Sequence, residues 1–156
     1  MLLVDGNNVP SPLRPWHSHE WGAQRRLVVD VARLTRDWEC CADVVFDGYP
    51  RGGLRQGALV AAVRVSFSER LSADDCIGAR APEHPPGELL VVTSDRGLAR
   101  TVLAVGAHVV SSESLRRALD VVCAAAHSST RIRTPLMQRP QALLALDAQS
   151  HRHGRR

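Results

Sequence analysis

Three short apolar runs in this chain each finish on an aspartate. Leu2 to Val4 lead into Asp5, Val44 to Phe46 into Asp47, and Leu89 to Val92 pass through Thr93 and Ser94 into Asp95. The runs are apolar at successive positions rather than at every second one, which suits strands covered on both faces. Between them lie segments with helical spacing. Leu27, Val28, Val31, Leu34 and Trp38 form one stripe from Gln24 onward, with Arg26, Asp30, Arg33 and Asp37 opposite at pairing distance. Strands that alternate with helices imply an α/β fold: a single doubly wound domain with a central parallel sheet and helices on both faces.

The remaining segments extend the pattern. "ALVAAVRVSFS" reads as a further strand and "AHVVSS" as another. Ser72 is placed to cap a helix whose first turn holds Asp74 and Asp75, where the helix dipole favours acids. "RGLARTVLAV" reads as a helix closed by Gly106, and "ESLRRALDVVCAAA" as a last amphipathic helix. Residues 1–126 are expected to be the folded domain. Residues 127–156, basic and weakly periodic, read as a flexible tail in which Ala142 to Leu146 could dock as a short helix.

Size and charge narrow the function classes. With 156 residues and 44% hydrophobic content, the chain can bury one core. No apolar run approaches the ~20 residues that span a bilayer, so a cytoplasmic protein without membrane contact is expected. The four cysteines have no paired-ligand spacing and read as free, buried thiols. All 20 basic residues are arginine, against 16 acids. The lack of lysine excludes a phosphate-loop lysine, a Schiff-base lysine and the lysine partner of an aspartyl-phosphate switch. "VVFDG" looks like a phosphatase nucleophile strand, but Tyr49 occupies the position of the second aspartate.

In a doubly wound sheet, ligands bind outside the carboxyl ends of the strands. Asp5, Asp47 and Asp95 stand at that end, and Asp74 and Asp75 open a helix that starts at the same rim if the strand before it is parallel. Carboxylates gathered this closely raise one another's pKa and persist together when a cation binds them. An all-oxygen donor set suits hard divalent ions, Mg²⁺ or Mn²⁺. Asn8 is placed to orient Asp5 or a water.

"LLVDGNNV", "VVFDG", "SADDCI" and "LLVVTSDRGLA" resemble, in that order, motifs of the NYN (YacP-like) branch of the PIN-domain ribonucleases, over about Met1 to Ala126. The resemblance implies a PIN-like fold and hydrolysis of RNA phosphodiesters dependent on Mg²⁺ or Mn²⁺. Carried over by motif, Asp5, Asp74 and Asp95 are central metal ligands, with Asp75 beside them. Asp47 is a further acid of the catalytic site, and Asn8 and Ser94 are polar supports. Proteins of that branch carry another acid in the helix after "ADD", which "CIGARA" does not supply. That departure keeps a non-catalytic RNA- or protein-binding module as the alternative, with a small phosphohydrolase third.

Arg51 and Arg55 after Asp47, and Arg96 and Arg100 after Asp95, are the candidate substrate-binding cations. His17 and His19 read as a solvated loop, and Trp16 and Trp21 as anchors of that loop. The partner expected is RNA, single-stranded or structured; a homodimer stays open.

Overall fold

The computed structural model describes residues 1–9, 21–51, 53–127 and 143–144. His17, His19, Trp16, the side chain of Trp21 and most of the stretch read as a tail lie outside the described residues. The elements in order are β1 (Leu2–Asp5), α1 (Trp21–Trp38), β2 (Ala42–Phe46), β3 (Leu59–Val60), β4 (Val63–Phe67), α2 (Ala73–Arg80), β5 (Leu90–Val92), α3 (Arg96–Ala104), β6 (His108–Val110) and α4 (Ser112–His127). They build one six-stranded sheet in the order β3-β4-β2-β1-β5-β6. Five strands run parallel and β3 pairs antiparallel to β4 at the edge.

The doubly wound α/β expectation holds, with one correction. "ALVAAVRVSFS" is not a single strand: Leu59–Val60 and Val63–Phe67 form a tight hairpin around Ala61, whose backbone takes a φ of 53°. No glycine or proline marks that turn, so the apolar run conceals it. None of the four cysteines forms a disulfide, as expected, but they are not buried: Cys40, Cys76 and Cys123 are partly covered and Cys41 is exposed.

The strands separate two cores because successive side chains point to opposite faces. Leu2, Val4, Val44, Phe46 and Val92 face α1 and α4, together with Leu143. Leu3, Val45 and Val91 face α2 and α3, where Ile77, Leu98 and Val102 cover them. Counting by twos, Asp5 shares the α2/α3 face with Leu3, and Asp43 shares it with Val45. The register sets Val4 opposite both Val44 and Val92, so Asp5 and Thr93 emerge side by side at the carboxyl rim.

Two glycines are demanded by packing. A Cβ on Gly6 would lie 2.5 Å from the Phe46 ring, so the turn after Asp5 passes directly over that side chain. Gly106 closes α3 at a φ of 84°, and a Cβ there would meet Pro86 at 2.8 Å. No helix among the described residues is long and apolar enough to cross a membrane.

Candidate functional site

The chain order places the switch point between β1 and β5, since β1 continues to β2 and β4 on one side and the return strand β5 lies on the other. Asp5 closes β1 and Asp95 follows β5, so the two flank that point. Asp5 is 1% exposed. Its Oδ2 accepts from the Asn8 amide and from Thr93 Oγ1 (3.2 Å), and its Oδ1 accepts from Asn7 N (3.3 Å). Burial pushes its carboxyl above the usual range, and these hydrogen bonds pull the other way.

Asp47 sits just past β2 and ties three segments together. Its Oδ1 accepts from the Ala73 backbone N at 2.6 Å, at the start of α2, and its Oδ2 accepts from the Asn7 amide. This clamp holds the α2 N-terminus against the β1 turn, and with it Asp74. Asp95 caps α3: its Oδ1 accepts from Leu98 N at 2.8 Å, while its own N–H donates to Thr93 Oγ1 at 3.0 Å. Thr93 therefore joins Asp5 and Asp95 through one hydroxyl.

Asp74 differs from the other three. Its side chain makes no hydrogen bond among the described residues, and the residue is only partly covered. Its carboxyl lies above the usual range, first through burial and then through repulsion from Asp5, Asp95, Asp47 and Asp75. Four acids from three strand ends and one helix start thus share one electrostatic environment. Asp75, the fifth acid expected near the rim, is engaged at the α2 cap. It accepts from Ser72 N and Ser72 Oγ, completing a capping box, and this holds its carboxyl below the usual range.

Of the supporting residues, Asn8 lies on Asp5, whereas Ser94 Oγ accepts from Ser112 N at 3.2 Å, at the start of α4. Arg51 and Arg55 are exposed on the loop after Asp47, and Arg96 and Arg100 are exposed on α3 after Asp95. Asn7 and Thr93 were not singled out from the sequence. Asn7 had a usable signal, as the first of two amides after a strand-ending acid; Thr93, a polar β-branched residue after an apolar run, had a weaker one.

Whether this donor set suits a divalent cation can be judged from its chemistry. The groups are all oxygen, and the carboxyls of Asp5 and Asp74 bear the mark of burial, Asp74 also that of like charge. Among the described residues, no group of three or more His, Cys, Asp or Glu side chains stands assembled as a ligand set. The fit is therefore one of donor type and charge.

The sequence model of the family described as the YacP-like NYN domain matches residues 2–153. Among solved structures, the chain is similar to Rae1 (YacP) from Bacillus subtilis, at 23% identity and a TM-score of 0.66, covering 98% of this chain and 91% of that one. It is also similar to the W164L mutant of that protein, at 21% identity and a TM-score of 0.60, covering 95% and 98%. At these identities the likeness is one of fold. No protein of curated function matches the chain.

Proposed function

This chain belongs to the YacP-like NYN domain family, and from that premise we propose that it is a ribonuclease that hydrolyses RNA phosphodiesters with Mg²⁺ or Mn²⁺ at the carboxylate rim. The observation that carries the reading is the convergence of four acids at one place: Thr93 Oγ1 joins Asp5 and Asp95, Asp47 holds the α2 start to Asn7, and Asp74 at that start feels the charge of all three. A polyanion approaching four carboxylates is repelled, so the rim suits RNA only when a cation neutralises it. Asp5, Asp74 and Asp95 would hold the ion, which supplies charge neutralisation at the phosphate and a more acidic water.

The chain's own residues have distinct parts in this reading. Asn8, Thr93 and the Asn7 N–H fix the Asp5 carboxylate in one orientation. Asp47 is a positioning group, because both its oxygens are engaged by Asn7 and the α2 N-terminus. Asp74, without such bonds, is the carboxylate free to face a ligand. Arg51, Arg55, Arg96 and Arg100 supply cations for the flanking phosphates.

The test is cleavage of a single-stranded RNA with Mg²⁺, with Mn²⁺ and with chelator, alongside melting under the same conditions. An ion that binds only the native state at a hundred times its Kd adds about 2.7 kcal/mol. For a chain of this size that raises the Tm by roughly 5–10 °C. Cleavage that requires the ion, together with this shift, is the expected result. An aryl phosphate ester as control should remain intact; its turnover would favour a phosphohydrolase.

Two observations favour a second reading. No assembled ligand set exists among the described residues, and α2 carries no acid beyond Asp75. A non-catalytic RNA- or protein-binding module would show neither the melting shift nor cleavage.

Thr93→Val separates the two further. The change keeps a β-branched side chain of similar shape but removes the hydroxyl shared by Asp5 and Asp95. The expected loss is about 10–100-fold in ion affinity or cleavage, as for other residues that orient a ligand from behind. An unaltered rate would mean that the Asp5 orientation does not matter to turnover.

A further inference from the structure

We propose that Tyr49, with Leu71 on the loop hydrogen-bonded to its own, forms a stacking subsite for an unpaired RNA base next to the carboxylate rim. The proposal rests on the reading of that rim as an RNA site and names how the strand is seated there. Tyr49 is 50% exposed and Leu71 62% exposed, so both side chains are accessible to a ligand. They stand on two loops that are bonded together. Glu69 N donates to Gly48 O at 2.8 Å, Gly48 N to Ser68 Oγ at 3.0 Å, and Leu71 N to Ser68 O at 3.0 Å. Both loops run into the site: Tyr49 follows Asp47 by two residues, Leu71 precedes Asp74 by three, and the Asp47–Ala73 hydrogen bond closes the junction.

The charge around the pair favours a nucleic acid strand. Arg51, Arg55 and Arg70 are exposed on the same loops, and none of them has an ion pair among the described residues. Glu69 is the acid between them. A flat apolar ring among free guanidinium groups matches a single strand, which offers a base face and a phosphate at each step. A duplex hides its base faces in the stack. A protein partner wants a wider apolar surface than two side chains. Hydrogen bonds hold the backbone at Gly48, beside Tyr49, and at Leu71, so less of the chain has to be ordered when a base arrives.

The experiment uses a single-stranded oligoribonucleotide carrying one 2-aminopurine, with Ca²⁺ in place of Mg²⁺ or Mn²⁺ so that the rim is neutralised, and gel electrophoresis checks that the strand is intact when binding is read. Stacking on an aromatic ring quenches this base. The wild type and Tyr49→Phe are expected to bind and quench alike, since the ring rather than the hydroxyl is needed. Tyr49→Ala should bind roughly five- to a hundred-fold more weakly and lose the quench, and Leu71→Ala should weaken binding in the same direction. Affinity for a duplex of the same sequence should not move. Both positions are exposed, and the melting curve of each variant checks that the fold is kept.

Equal affinity and quench in Tyr49→Ala and wild type would overturn the proposal. So would an equal loss for the duplex, or a wild type that binds no single strand. The two readings fail separately. A protein that stacks a base but never cleaves keeps this subsite and loses the nuclease. A protein that cleaves with no dependence on Tyr49 does the reverse.

Discussion

Asp74→Asn is expected to remove RNA cleavage, by at least about a hundred-fold, while the metal-free protein melts no lower than the wild type. The amide preserves size and shape but deletes the charge that the other acids repel. No hydrogen bond is lost, because the Asp74 side chain makes none among the described residues. The sign follows from its raised carboxyl. A group that binds its proton more tightly when folded favours the folded state at low pH. That contribution fades as pH rises from the unfolded value through the raised folded one, and at neutral pH the ionised Asp74 subtracts from stability. Asp74→Asn should therefore flatten the fall in metal-free stability across the mildly acidic range. Melting curves at pH 4 to 7.5 without metal check this. A variant that cleaves at the wild-type rate, or melts lower throughout, would show Asp74 to be structural.

Arg80→Ala is expected to be the most damaging surface-directed change to stability. Asp43 lies in mid-strand of β2 with its side chain 4% exposed, and Arg80 Nη1 donates to its Oδ2 at 2.8 Å. Ser66 Oγ donates to the same carboxylate at 2.8 Å. Removing Arg80 leaves a buried charge with one neutral partner. Orphaned buried charges cost about 3–5 kcal/mol. Arg80 itself is one-third exposed, so the lower end, about 3 kcal/mol, is expected, or a Tm lower by roughly 6–12 °C. The same bond pins the C-terminal end of α2 to the sheet, as Asp47 pins its N-terminal end, so Asp74 should also be less well placed. Combining Arg80→Met with Asp43→Leu, which removes both charges, should recover most of the loss. If the single variant melts within a degree of wild type, the pair contributes nothing.

The amino-acid order by itself determined the elements, because their signals are local. Continuous apolar runs could only be strands covered on both faces, and the aspartates that end them had to appear at one rim once the strands ran parallel. Ser72 and Asp75 lie within one turn, so their capping box was also open to local reading. The hairpin at Ala61 was missed because alanine carries no turn signal and its strands are apolar throughout.

What only the tertiary structure decided depends on pairs distant in sequence. Asn7 and Asp47 are 40 residues apart, Asp43 and Arg80 are 37, and Asp5 and Thr93 are 88. In sequence, Asp43 is one polar residue inside an apolar strand, and nothing local says that Ser66 and Arg80 will meet its charge. The division of work among the acids was equally hidden. Asp47 and Asp95 became helix-start acceptors, Asp75 a capping-box acid, and Asp74 the carboxylate without a hydrogen bond among the described residues. Sequence sets which charges reach the rim, since strand parity and helix starts follow from neighbours along the chain. Which of them are engaged and which left free is settled by register and packing, where each carboxylate meets donors from strands and helices far along the chain.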